Sequence, residues 1–323
     1  MKSRFPFTSF PNGWFCIAYS HELSAKQVIP LHYFDRDLVL FRSEDGIAHV
    51  LDAYCPHLGA HLGHGGQVKG EKIQCPFHGW CFDGKGQCLD IPYANKIPLK
   101  VQIQSWLVKE VNGLILVWYH THGEKPTWEI PELPEYTCSQ WTSFRTVGQW
   151  KIRSHVQDIN ENALDTAHLQ YLHGVDSVKG KSLHKEGCIL RWPCSTTSKI
   201  AADAQGSSVE VVSKIEFTFY GLGYTVQRCC TKGIIEQEFI TINLNTPVDI
   251  EYVNSYLIIS FKKHSEQSEI SDLEAMTLQV VAMEAQKDMP ILENKVYQSS
   301  PILSDGDGPI MQYRHWAQQF YLN

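Results

Sequence analysis

The sequence predicts an all-β N-terminal domain followed by an α+β domain in which helices pack on one side of an antiparallel sheet. Three observations carry this expectation. Residues 1–122 alternate short β-rich runs with turn signals, residues 123–136 are rich in proline and glutamate, and residues 137–323 mix longer strand-like runs with helical segments. At 323 residues the chain has room for two domains of ordinary size. Its composition, 43% hydrophobic and 20% charged, is that of a soluble globular protein.

The elements follow in order. "DLVLFR", "GIAHVLDAY", "KIQCPF", "KVQIQSWLVKEV" and "GLILVWYH" read as strands, with "EDG", "GHGG", "DGKG" and "VNG" as the turns between them. Their number and shortness suit a small barrel or sandwich. "GEKPTWEIPELPEY", residues 123–136, reads as a linker because proline and glutamate disfavour a packed core. Beyond it, "HVQDINENALDTAHLQYLH" predicts a helix from about Asp158 to His173, with Gly174 as its C-cap. "SVEVVSKIEFTFY", "IIEQEFITINL" and "VNSYLIISFKK" are strand-like. A long helix is then expected from about Glu266 to Tyr297, interrupted or kinked at Pro290.

Charge and composition exclude several function classes. A net charge of −7 lacks the basic footprint of a nucleic-acid binder. No apolar run approaches the roughly 20 residues that span a bilayer. Thr8, Ser9, Pro11, Asn12 and Gly13 interrupt any signal-peptide core, so a cytoplasmic location is expected. Of the ten cysteines, eight are scattered through apolar or strand-like surroundings, as reduced, mostly buried thiols would be. Only Cys55 and Cys75 sit beside histidines.

Those two define the first metal constellation, C-x-H-x17-C-x2-H, formed by Cys55, His57, Cys75 and His78. Pro56 and Pro76 stiffen its loops, and glycines permit tight turns. Structural zinc sites pair like ligands as C-x2-4-C and H-x3-5-H. Here each loop offers one thiolate and one imidazole, which suits a 2Fe–2S centre with two cysteines on one iron and two histidines on the other. His61 and His64 are surplus to that set and read as loop residues. Such a cluster has a potential of roughly −150 to +300 mV and passes single electrons.

The second constellation is "NENALDTAHLQYLHG". Asp165 and His168, at i and i+3, share a helix face, and His173 follows at the helix end. Two histidines and a carboxylate make the facial set of non-haem Fe(II) oxygenases. Glu284, Asp288 and Glu293 in the long helix are the candidates for that carboxylate, and position alone does not choose among them. Asp165 is placed to accept a hydrogen bond from the free ring N–H of His168.

The first segment, above all "CPFHGW", resembles the Rieske cluster motif, and the whole chain resembles the Rieske non-haem iron oxygenases. "CPHLGAHLGHGG" carries Leu58 where many members have arginine. "QKDMPILENK" is similar to the helix bearing the third iron ligand in steroid-acting members. "DGPIMQYRHWAQQFY" is similar to the C-terminal block of 3-ketosteroid 9α-hydroxylase oxygenase components and cholesterol 7-desaturases. The resemblance implies a Rieske domain over 1–122 and a helix-grip catalytic domain, a sheet wrapped around a helix, over 137–323. It implies that Cys55, His57, Cys75 and His78 bind a 2Fe–2S cluster, and that His168, His173 and Asp288 bind a mononuclear Fe(II). Asp165 would bridge the two centres across neighbouring subunits of a homotrimer.

The implied activity is hydroxylation or desaturation of a small apolar, sterol- or steroid-like substrate with O2. No G-x-G-x-x-G follows a strand and no plant-type C-x4-C-x2-C is present, so electrons are expected from a separate NAD(P)H-dependent reductase, with or without a ferredoxin. An aromatic or alkaloid substrate is the alternative within the enzyme class. A Rieske electron carrier is the alternative outside it, but a carrier has no use for the His168, His173 and carboxylate set.

Overall fold

Strands dominate residues 4–201, 208–233, 236–263 and 271–321, the part of the chain described by a computed structural model. They form two units, one of Trp14–Pro131 and one of the described residues of Met1–Gly13 and Glu132–Asn323.

In the first unit the short apolar runs become β1 (Gly13–Tyr19), β2 (Val28–Tyr33), β3 (Arg36–Arg42), β4 (Ala48–Asp52), β5 (Gln67–Lys69), β6 (Lys72–Gln74), β7 (Cys81–Asp83), β8 (Cys88–Asp90), β9 (Ser105–Trp106), β10 (Val108–Val111) and β11 (Leu114–Tyr119). They make three small sheets in the orders β1-β11-β10, β2-β3-β4-β9 and β5-β6-β7-β8. A core of Val39, Phe41, Leu51, Leu62, Val68, Ile73, Phe82, Ile91 and Ile103 runs beneath the last two and includes Cys55, Cys75 and Trp80. Burial of that core anchors the loops that carry the cysteines. Residues 124–131 lie along this unit, with Trp128 edge-on to Trp118 at 5.7 Å and its carbonyl accepting from Trp14 Nε1 at 2.9 Å.

The second unit holds α1 (Pro134–Thr137), β12 (Arg145–Ile152), α2 (Val156–Asn162), α3 (Thr166–Tyr171), β13 (Ser177–Gly180), β14 (His184–Glu186), β15 (Ile189–Ala201), β16 (Ser208–Tyr220), β17 (Tyr224–Lys232), β18 (Gln237–Pro247), β19 (Val253–Phe261), α4 (Asp272–Asn294) and α5 (Ile310–Ala317). Its strands form one sheet in the order β12-β19-β18-β17-β16-β15-β13, with β14 also on β15. The β-rich run at residues 208–220 is β16 from end to end. β15 is harder to read because Pro193 lies inside it. Pro193 falls in the gap between the residues paired with β13 and those paired with β14, so its missing N–H breaks no ladder bond there.

Helix α4 starts at a capping box, with Ser271 accepting from the Glu274 N–H and Glu274 accepting from the Ser271 N–H. The expected start at Glu266 lies outside the described residues. Leu278 and Val281 of α4 pack on Cys229, Phe239, Ile259 and Phe261 of the sheet, which gives the helix-grip arrangement. The expected interruption at Pro290 does not occur, since α4 runs through it to Asn294. Pro290 has no N–H to donate to the Gln286 carbonyl, and because it sits in the last turn only four helical residues follow that missing bond. The exposed carbonyls beyond it are taken by Arg4, whose guanidinium donates to Leu292 O at 3.0 Å and Lys295 O at 2.7 Å.

The single helix expected over Asp158–His173 is instead two, α2 and α3. Leu164 and Asp165 close with i→i−3 hydrogen bonds to Glu161 and Asn162, and Asp165 turns extended. The cause is tertiary. Gly308 packs so tightly on this elbow that a Cβ there would lie 1.7 Å from Leu164 O, and Thr166 Oγ1 donates to Gly306 O at 2.9 Å. The C-terminal helix holds the other side. Arg314 makes a two-pronged ion pair with the buried Glu161 of α2 at 2.6 and 2.7 Å, and Tyr313 Oη donates to Gln157 O at 3.0 Å.

Candidate metal centres

The loops at Cys55 and Cys75 have the same backbone design. Each cysteine N–H donates to the carbonyl five residues on, Ala60 at 2.9 Å and Trp80 at 2.8 Å. Each cysteine carbonyl accepts from the glycine four residues on, Gly59 at 3.0 Å and Gly79 at 3.1 Å. Both glycines have positive φ, +76° and +74°, which is why a glycine closes each loop. The turns bring His57 and His78 to 4.6 Å between ring centroids, with Trp80 stacked flat on His57 at 4.6 Å. Trp80 is held in turn by its Nε1 donating to Tyr93 Oη at 2.8 Å.

The chemistry of this set asks for a cation. Cys55 and Cys75 are buried, and burial pushes the Cys55 thiol up to about 11, with the charge of the adjacent Cys75 adding to the shift. His57 Nδ1 is buried with no hydrogen-bond partner. An orphaned imidazole nitrogen beside two buried thiols fits a metal ligand and not a core histidine. His61 and His64 stand apart from it. His61 Nδ1 accepts from the Gly63 N–H at 3.0 Å, and His64 is exposed.

In the second unit, His168 lies on α3, His173 just past the Leu172 C-cap, and Asp288 on α4. The His173 N–H reaches back to His168 O at 3.4 Å, and the two rings stand 5.0 Å apart. One ligand atom from each of His168, His173 and Asp288 lies within 4.8 Å of the others. His173 Nε2 is 3.1 Å and His168 Nε2 3.9 Å from Asp288 Oδ1. The hydrogen bond to Asp288, then that to Glu284, pushes His173 up, while burial pushes His168 down.

Of the three carboxylates left open by position, the structure brings Asp288 to both histidines. Glu284 meets His173 on its other edge, at Nδ1, and Glu293 Oε1 faces the Arg153 N–H at 3.5 Å. The expected hydrogen bond from His168 to the Asp165 carboxylate is corrected. Asp165 is the N-cap of α3, and its Oδ1 accepts from the N–H groups of Ala167 and His168 at 3.1 and 3.3 Å. The ring Nδ1 of His168 faces the Asp165 backbone carbonyl at 2.6 Å, with the carboxylate 3.9 Å away. A residue at a cap turns its side chain to the helix end, so the helix-face spacing did not apply.

Residues 13–107 match the Rieske [2Fe-2S] domain model, and residues 117–321 match the 3-ketosteroid 9alpha-hydroxylase C-terminal domain model, which takes in more than half the chain. The chain belongs to the 3-ketosteroid 9α-hydroxylase family of Rieske oxygenases. Among its relatives is a cholesterol 7-desaturase of Ciona intestinalis, 33% identical over 97% of this chain and 69% of that protein. Another is the oxygenase component of a 3-ketosteroid-9-alpha-monooxygenase from Rhodococcus rhodochrous, 32% identical over 98% of this chain and 82% of that one. The fold is shared with dicamba monooxygenase bound to 3,6-dichlorosalicylic acid, at a TM-score of 0.77 and 19% identity over 96% of this chain and 97% of that one.

As a Rieske oxygenase the protein is an oxidoreductase with a 2Fe–2S cluster and a mononuclear iron. Among the described residues no helix is long and apolar enough to cross a membrane. Sequence reasoning missed the residues that brace the two centres of this Rieske oxygenase, namely Trp80, Gly308, Arg314 and Arg4. Trp80 had a signal in its place within "CPFHGW". Gly308 and Arg314 had one in "DGPIMQYRHWAQQFY", but nothing local to them, or to Arg4, named the distant partners Leu164, Glu161 and Leu292.

Proposed function

We propose that this chain is the oxygenase component of a system that hydroxylates or desaturates a sterol- or steroid-like substrate. In this reading Cys55, His57, Cys75 and His78 hold the cluster, and His168, His173 and Asp288 hold the mononuclear iron. The observation that carries it is the convergence of two imidazoles and one carboxylate from α3, the following turn and α4. The bound metals would supply single-electron transfer and O2 activation. The protein's own residues set the stage. The Asp165 carbonyl accepts the His168 Nδ1–H, which leaves the Nε2 lone pair directed at the site. The steroid class is supported by the names of the relatives that align over nearly the whole chain.

The assembly belongs to the same proposal. A homotrimer would pair the cluster of one subunit with the iron of its neighbour through Asp165. Both cap hydrogen bonds fall on Asp165 Oδ1, and the half-buried side chain leaves Oδ2 for an external donor. A separate NAD(P)H-dependent reductase would feed the cluster. The other eight cysteines, left as thiols, suit the reducing conditions of a cytoplasm.

The test is oxygen uptake and product mass spectrometry with NADH, a ferredoxin–reductase pair, and panels of sterols and of aromatic acids and alkaloids. Oxidised sterol, formed only when the reductase is present, is the expected result. Turnover confined to the aromatic or alkaloid panel would move the substrate class and leave the iron site standing.

A further inference from the structure

The two histidines of the second unit are held by unlike acceptors. His168 Nδ1 faces a neutral carbonyl, Asp165 O, at 2.6 Å. His173 Nδ1 faces a carboxylate, Glu284 Oε2, also at 2.6 Å. Neither acceptor has a proton to give when the carboxylate is ionised, so each ring carries its proton on Nδ1 and turns Nε2 toward Asp288. Glu284 is itself clamped, since Lys287 Nζ donates to its two oxygens at 2.9 and 3.0 Å. Glu284 and Asp288 are one turn apart on α4, so a single helix presents a carboxylate to each edge of the His173 ring. Because Glu284 lies on the edge away from Asp288, it cannot reach a metal bound between Nε2 and Asp288 without leaving that hydrogen bond.

We infer that Glu284, oriented by Lys287, is a positioning residue for the mononuclear iron, fixing the tautomer of His173 and making it the stronger of the two histidine ligands. The inference rests on the reading of His168, His173 and Asp288 as the iron site. A carboxylate draws on a ring N–H harder than a carbonyl does, which raises the donor strength of the opposite nitrogen. Lys287 matters because a free glutamate on an exposed helix face samples several rotamers, whereas a clamped one holds a single hydrogen-bond direction.

The experiment compares wild type with E284Q, E284A, K287A and H173A, each loaded anaerobically with Fe(II). The rate of Fe(II) loss to ferrozine is followed, and the Rieske EPR signal serves as the control for folding. E284A should release iron ~10–100-fold faster, the usual cost of removing such a hydrogen-bond partner. E284Q, which keeps a neutral acceptor, should recover much of that loss, and K287A should lie near E284Q. In the Co(II)-loaded protein two exchangeable ring N–H protons should be shifted by the metal in the NMR spectrum, and E284Q should move only one of them.

Wild-type release rates in E284A, or in both E284Q and K287A should E284A fail to fold, would overturn the inference. So would E284Q moving both N–H resonances or neither. If H173A also holds Fe(II) like wild type, the iron-site reading itself falls, and this inference with it. If H173A loses the iron while the Glu284 variants keep it, only the role of Glu284 is rejected.

Discussion

His155 shows how much a single side chain can couple this fold to pH. It caps α2, its Nδ1 accepting from the Gln157 N–H at 3.2 Å, and its ring stacks on Phe7 at 4.0 Å. Its Nε2 is buried without a partner, and burial pushes it from the ordinary 6.5 down to about 3. The folded chain therefore refuses a proton that the unfolded chain accepts. The stabilisation is intact above 6.5 and is lost as pH falls toward 3, by about 1.4 kcal/mol for each pH unit. Asparagine still caps but does not titrate, so urea midpoints of His155→Asn should fall less steeply than those of wild type on acidification. Parallel pH profiles would remove His155 as the cause. The cluster loops were legible at this scale because their turn chemistry is local, with a cysteine, a proline and a closing glycine within five residues. The choice among Glu284, Asp288 and Glu293 was not. Carboxylates at i and i+4 look alike in sequence, and only the approach of His173 tells them apart.

Between α2 and α3, the elbow is the element on which the placement of Asp165 and His168 depends. A methyl group at Gly308 has no room beside Leu164 O, so Gly308→Ala must push the elbow away from α5 and carry Asp165 and His168 with it. The expected result is Fe(II) loss on the order of 10-fold faster, with the Rieske EPR signal unchanged. Normal iron retention would show that the elbow yields elsewhere. The cap at Asp165 makes a second prediction at this scale. Asp165→Ala removes the acceptor of two helix N–H groups and should lower stability by about 1 kcal/mol in urea titrations. Asp165→Asn should lose far less, so the asparagine variant is the one that isolates the negative charge in catalysis. The helix was legible here only as a periodic stretch. Its break was not, because Gly306 and Gly308, which impose it, lie about 140 residues downstream.

For the whole molecule, the prediction concerns assembly. Native mass spectrometry should show three chains. Subunits lacking the cluster (Cys55→Ala) and subunits lacking the iron (Asp288→Ala) should each be inactive, yet trimers refolded from the mixture should regain product formation. Regain requires a cluster in one chain to serve an iron in another, and its absence would place both centres of a working pair in one chain. The sequence by itself determined the two-part organisation, the two groups of candidate ligands and the family, because each rests on residues close together in the chain or on spacings that folding does not change. The tertiary structure decided which carboxylate meets both histidines, what Asp165 caps and where the helix expected over the second constellation breaks. His173 and Asp288 are 115 residues apart, and Arg314 and Glu161 153 apart. Such partners are selected by sheet order and helix packing, and no local propensity or period encodes that choice.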